Sequence, residues 1–144
     1  MGLLIAVARR RIKQAVLARA AGHRLSPQQF WLLVGLLERP GASQRELAGA
    51  LHLDAPTASR VVAALVRRRL VRVEADPADR RRVRLHLTPA GAQLAGRLAV
   101  AAAEIRETVV EGLSGAELEA LRRSLRHVIA NLERLEGRAV RSLP

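Results

Sequence analysis

Residues 43–60 read Ser43-Gln44-Arg45-Glu46-Leu47-Ala48-Gly49-Ala50-Leu51-His52-Leu53-Asp54-Ala55-Pro56-Thr57-Ala58-Ser59-Arg60, and this stretch decides the fold. Ser43 and Glu46 have the spacing of a capping box, in which each side chain covers a backbone amide that the first helical turn leaves free. A short helix follows and buries Leu47, Ala48 and Leu51. After His52 and Leu53, Asp54 caps a longer helix that runs from about Ala55 to Arg68. On that helix Ala58, Val62 and Leu65 share one face, with Val61 at its edge, while Pro56, Arg60, Ala63 and Arg67 share the other. Two helices joined by a turn of about four residues have helix-turn-helix spacing.

Downstream the hydrophobic period changes from helical to alternating. Leu70-Val71-Arg72-Val73-Glu74 and Val83-Arg84-Leu85-His86-Leu87 both read as strands. Between them lies the turn sequence Asp76-Pro77-Ala78-Asp79-Arg80-Arg81-Arg82, so a hairpin, or wing, follows the helix-turn-helix. Thr88-Pro89 caps a long helix to about Gly112, and Ser114 with Glu117 forms a further capping box that starts the last helix. There Leu118, Leu121, Leu125, Val128, Leu132, Leu135 and Ala139 alternate spacings of three and four, which is a heptad seam suited to a partner helix. Upstream, residues 3–22 read as a helix ended by Gly22, with Leu4, Ala8, Ile12, Ala15, Val16 and Arg19 on one side. Ser26-Pro27 opens the next helix, which carries Phe30, Trp31, Leu33, Val34 and Leu37 before Arg39-Pro40-Gly41 stops it. No repeat, linker or low-complexity tract interrupts the chain, and one domain over residues 1–144 is expected.

The net charge of +12 points to a polyanionic partner. Residues 1–42 carry seven basic groups and one acid, residues 43–88 carry ten and five, and residues 89–144 carry eight and seven, so the excess lies in the first two-thirds. Lys13 is the only lysine; the other basic groups are arginine, suited to bidentate contact with phosphate and guanine. Trp31 and Phe30 are the only aromatic residues, which leaves almost nothing for stacking on single-stranded bases. The lack of cysteine excludes disulfides, thiolate-bound metal and thiol redox sensing. His23, His52, His86 and His127 have no ligand-like spacing, so no metal site is expected. No phosphate loop, activated nucleophile or paired carboxylate is present; neither enzymatic activity nor a cofactor is expected. The apolar start, Met1 to Ala8, is short and its charges follow it, unlike a signal peptide, so a cytoplasmic location is expected.

Leu25-Ser26-Pro27, Ser43 through Ala48, Leu53 through Arg60, Leu70-Val71, Asp76 through Arg81 and Leu85-His86-Leu87-Thr88-Pro89-Ala90-Gly91 together resemble the MarR family of bacterial regulators. The similarity spans essentially the whole chain, and the wing followed by Leu-Thr-Pro-x-Gly is its most specific part. The resemblance implies a mostly α, α+β winged helix-turn-helix over residues 25–88, with the wing at about 70–88. Residues 1–24 and 89–144 would then interlock two copies into a homodimer, with Leu118, Leu121, Leu125, Val128, Leu132 and Leu135 at the seam. It also implies that the helix after Asp54 enters the major groove of duplex DNA. Arg81 would reach the minor groove at the wing tip, steadied by Asp79, with Arg80 and Arg82 beside it. His52 and Arg69 stand where the family has glycine at a left-handed helix end, so backbone strain is expected at both.

On this reading Pro56, Thr57, Ser59 and Arg60 contact bases and phosphates, while Ser43, Gln44 and Arg45 contact the DNA backbone. Arg60 is the best candidate for guanine. Arg67, Arg68 and Arg69 read equally as a phosphate clamp or as a solvated helix end. Trp31 and Phe30 read most simply as core, but they belong to a helix that, in the resembled family, borders a ligand cavity, so a lining role, above all for Trp31, is the alternative. The function expected is a ligand-responsive repressor that occupies a pseudo-palindromic operator and is released by a small anionic or apolar effector. An architectural DNA-binding protein of the same fold, or a basic module for an acidic protein partner, are the alternatives.

Overall fold

The computed structural model of the chain describes residues 1–77, 79 and 83–141. Its elements are α1 (Gly2–Ala20), a 3-10 turn (Ala21–His23), α2 (Pro27–Glu38), α3 (Gln44–Ala50), α4 (Ala55–Arg67), β1 (Val71–Ala75), β2 (Val83–Leu87), α5 (Pro89–Val110) and α6 (Gly115–Arg141). This is the expected mostly helical fold with one small antiparallel sheet. The chain divides into two compact units, Met1–Arg106 and Glu107–Pro144, and α5 runs across the division.

In the first unit α2 is the central element. Phe30, Leu32, Leu33, Val34 and Leu36 are buried along it, and the apolar faces of its neighbours complete the core with Leu47, Leu65, Leu85 and Leu98. The helix starts are set locally. Ser26 Oγ accepts the Gln29 amide at 3.2 Å while Gln29 Oε1 accepts the Ser26 amide at 2.9 Å, a reciprocal cap whose second member the sequence had not revealed. Ser43 and Glu46 make the expected box, at 3.2 and 2.6 Å. Each serine cap contributes about 1 kcal/mol.

α1 departs from its expected pattern in two ways. It stops at Ala20, before Gly22, and gives way to the tighter 3-10 turn. Its buried line is Val16 and Ala20, with Ile12 partly buried, whereas Leu4 is 72% exposed. Leu4 falls off this line because burial follows the end of the helix that meets α2.

Among the described residues, three other than glycine have left-handed backbones: Arg24 (φ 51°), His52 (φ 49°) and Arg69 (φ 56°). The expectation at His52 and Arg69 holds, and Arg24 adds a third at the corner between α1 and α2. After Arg69 the chain enters β1, and the end of β2 returns to the same place. Thr88 Oγ1 donates to the Arg69 carbonyl at 2.7 Å, and the Thr88 amide donates to the Leu70 carbonyl at 3.1 Å. Gly91 lies so close that a Cβ on it would stand 1.9 Å from the Leu70 oxygen. The Leu-Thr-Pro-x-Gly run is thus a joint between the wing, the end of α4 and the start of α5.

The second unit opens with the capping box of Ser114 and Glu117. The Ser114 side chain, then its backbone amide, hold the Glu117 carboxyl below the usual carboxylate range. Along α6, Leu121, Leu125, Ile129, Leu132 and Leu135 are exposed in the single chain, with Leu118 and Val128 half-buried. Among the described residues, no helix is long and apolar enough to cross a membrane.

Candidate nucleic-acid interface

Helix α4 is capped by Asp54, whose Oδ1 accepts the Thr57 amide at 2.7 Å. That bond, with help from the Thr57 side chain and the Arg60 charge, keeps the Asp54 carboxyl below the usual carboxylate range. Ala58, Val61, Val62 and Leu65 are buried beneath the helix, as the alternation of faces predicts. Pro56, Ser59 and Arg60 are exposed on the other side, and Thr57 is half-buried at the edge. Arg60 Nη2 donates to Thr57 Oγ1 at 3.1 Å. The guanidinium is thereby laid along the exposed face with one donor used and the remaining N–H groups of its fork available.

α3 stands beside the start of α4. Arg45 is exposed and Gln44 half-buried. Ser43 Oγ is engaged as an acceptor in its cap, so only its hydroxyl hydrogen is left to donate outward. A groove of about 840 Å³ separates these helices from the wing, lined by Gln44, Arg45, Ala55, Ala58, Val83 and Arg84 among others. The structure therefore brings Ser43, Gln44 and Arg45 to the same side as the start of α4.

The wing is a hairpin in which Val71 faces Leu87 and Ala75 faces Val83. It is anchored by residues that sequence reasoning did not single out. Arg84 Nε donates to Asp76 Oδ2 at 2.9 Å, Arg84 Nη1 donates to the Gly41 carbonyl at 3.3 Å, and Asp76 is buried. The backbone adds Gly41 N–H to Leu85 O at 3.2 Å and Leu85 N–H to Ala42 O at 3.0 Å. An isolated antiparallel bridge between Ser43 and Arg84 thus fixes the wing to the entrance of α3. Asp79 is exposed; Arg80, Arg81 and Arg82 lie outside the described residues.

The aromatic pair divides between its two readings, with Phe30 in the core and Trp31 at its edge. Phe30 is wholly enclosed in the core, so it presents no face to a ligand. Trp31 is half-buried, packs edge-on against Phe30 at 5.1 Å, and carries the Arg106 guanidinium 5.5 Å above its ring. Arg106 Nη1 also donates to Glu38 Oε1 at 2.8 Å. Among the described residues no cluster of three or more histidines or carboxylates is placed to hold a metal.

Known proteins share this arrangement. The model of the MarR family matches residues 25–82, which is the helix-turn-helix with most of the wing. The transcriptional repressor NicR of Pseudomonas putida is 34% identical over 111 residues, covering 77% of this chain and 70% of NicR. The structure of Bordetella bronchiseptica BpsR, whose DNA binding is regulated by 6-hydroxynicotinic acid, superposes with a TM-score of 0.74 at 30% identity. It covers 89% of this chain and 91% of BpsR. The Staphylococcus aureus MepR–DNA complex superposes with a TM-score of 0.78 at 25% identity, over 91% of this chain and 97% of MepR. By this identity and coverage, the chain belongs to the MarR family of DNA-binding transcription regulators.

Proposed function

We propose that the chain is an effector-responsive repressor that binds a pseudo-palindromic operator as a homodimer. Pro56, Thr57, Ser59 and Arg60 enter the major groove, and Ser43, Gln44 and Arg45 engage the backbone, with the wing arginines alongside. The observation that carries this reading is the exposed start of α4, where Arg60 is held in the open by Thr57 beside the entrance of α3. Two copies are supported by the apolar row on α6, from Leu121 to Leu135, which a lone chain leaves in water. An anionic aromatic effector is supported by the likeness to BpsR, and 6-hydroxynicotinic acid is the first compound to test.

Titration of duplexes from the DNA flanking the chain's own gene, read by fluorescence anisotropy, tests the reading. A preferred duplex should be bound at least about 1000-fold more tightly than random sequence. If each protomer neutralises about four phosphates, the log–log slope of affinity against salt should be near −7. Adding about five base pairs between half-sites should remove most of the affinity, because the second recognition helix then faces the wrong side of the duplex. Equal affinity for all sequences would mean an architectural protein, and a slope near zero would mean that the basic surface serves another partner.

A further inference from the structure

Of the three consecutive arginines at the end of α4, Arg68 makes a long-range bridge. Its Nη1 donates to the Arg24 carbonyl at 3.0 Å and its Nη2 to the His23 carbonyl at 2.8 Å. Those carbonyls belong to the corner where the 3-10 turn ends and Arg24 takes a left-handed backbone (φ 51°). Carbonyls at a helix end lack intrahelical donors, and a planar guanidinium can serve two of them at once, which an ammonium cannot do in the same geometry. The next residue, Arg69, is also left-handed, and its carbonyl is held by Thr88 at the head of α5. The tail of the recognition helix is therefore gripped from both sides, each time at a strained residue. Such backbones persist only where surrounding contacts hold them.

We propose that Arg68 is a positioning residue for operator recognition: it sets the angle of α4 against the corner between α1 and α2 and makes no phosphate contact. The inference rests on α4 being the helix that enters the groove. The lever is short and stiff. Arg60 lies eight residues from Arg68, which is about 12 Å along a helix axis, so a pivot of about 5° at the tail moves the Arg60 end by about 1 Å. A shift of that size spoils a bidentate base contact, which tolerates about 0.5 Å, but leaves attraction to phosphates almost untouched.

The test compares Arg68→Lys, Arg68→Gln and Arg67→Gln with the parent. Dissociation constants for operator and for random duplex are measured across a salt series, alongside thermal melting and sedimentation. For both Arg68 variants the operator-to-random ratio should fall by about 10-fold or more. Random-duplex affinity should stay within about twofold, and the salt slope and dimer should be unchanged. Arg67→Gln should leave the ratio as it was. Parental behaviour of Arg68→Lys would show that charge alone matters. A slope shallower by about 2 in Arg68→Gln, as expected for one lost phosphate contact per protomer, would mean a clamp. A loss shared equally by both duplexes, with a lower melting temperature, would mean a purely structural role. Any of these three results overturns the proposal. A parent that does not discriminate between duplexes would instead remove the regulator reading on which the proposal rests.

Discussion

Replacing Gly91 with alanine would place a Cβ 1.9 Å from the Leu70 carbonyl oxygen and 2.8 Å from its carbonyl carbon. These are backbone atoms, so no side chain can swing aside. The start of α5 and the Arg69–Leu70 turn must part by more than about 1 Å to reach ordinary van der Waals separation. That movement stretches both bonds made by Thr88, now 2.7 Å to Arg69 and 3.1 Å to Leu70, out of hydrogen-bonding range. Two such bonds contribute about 1 kcal/mol each. Disturbed packing around buried Leu70 and Leu94 adds about 1–2 kcal/mol. Alanine's better helix propensity returns at most about 1 kcal/mol. The net loss is about 2–3 kcal/mol, or a melting temperature about 5–10 °C lower at fixed protein concentration. Gly96→Ala is the control: it lies in the same helix and has nothing within 4 Å of its added Cβ. It should raise the melting temperature by about 2–4 °C through propensity alone. Opposite signs for one chemical change in one helix are the decisive result. A Gly91→Ala variant that melts at or above the parent would refute the claim that backbone approach, rather than helix propensity, fixes glycine there.

Other outcomes follow from strain, charge and exposure. His52→Gly should stabilise the protein by about 1 kcal/mol in urea titration, because glycine adopts the left-handed backbone there without a Cβ penalty. Leu125→Asp puts a charge into the exposed apolar row of α6 and should yield monomer or aggregate in sedimentation, where the parent should run as a dimer. The caps of Asp54 and Glu117 contribute stability that is fully present above their unfolded values of 3.8 and 4.5, since folding lowers both. Stability from these caps should be flat from pH 7 to about pH 5 and should decline as pH falls through the depressed folded values. The Asp54→Asn, Glu117→Gln double variant should show a shallower acid decline than the parent in the same titration.

What could be read in advance was local. A serine three residues before a glutamate has one good use for its hydroxyl, and Ser43 and Ser114 both serve it. The helical spacing of Ala58, Val62 and Leu65 named a buried face without reference to the rest of the chain, whereas of the alternating Val83, Leu85 and Leu87 only Leu85 is buried. His52 and Arg69 were legible only as departures from a family's glycines. The interactions that hold the interface in place were not legible. Arg68 reaches back to residues 44 and 45 positions away, and Arg84 joins a carboxylate in a turn to the Gly41 carbonyl. An arginine's sequence neighbours do not record such reach, and its exposure disguises it as a solvated charge. Adjacent residues on a helix diverge by about 100°, which is why Phe30 is enclosed in the core while Trp31, in edge contact with it, stays half-buried.

The junction of Trp31, Arg106 and Glu38 also has an optical consequence. Trp31 is the chain's only tryptophan and there is no tyrosine, so ultraviolet emission from the protein arises from a single site without labelling. The indole is half-buried with a guanidinium 5.5 Å above its ring, and that guanidinium is shared with a carboxylate at the end of α2. A perturbation that draws Arg106 away from the ring changes the charge over the chromophore, and its emission wavelength and intensity respond. The intrinsic fluorescence of the native chain is therefore a site-resolved readout of the α2–α5 contact.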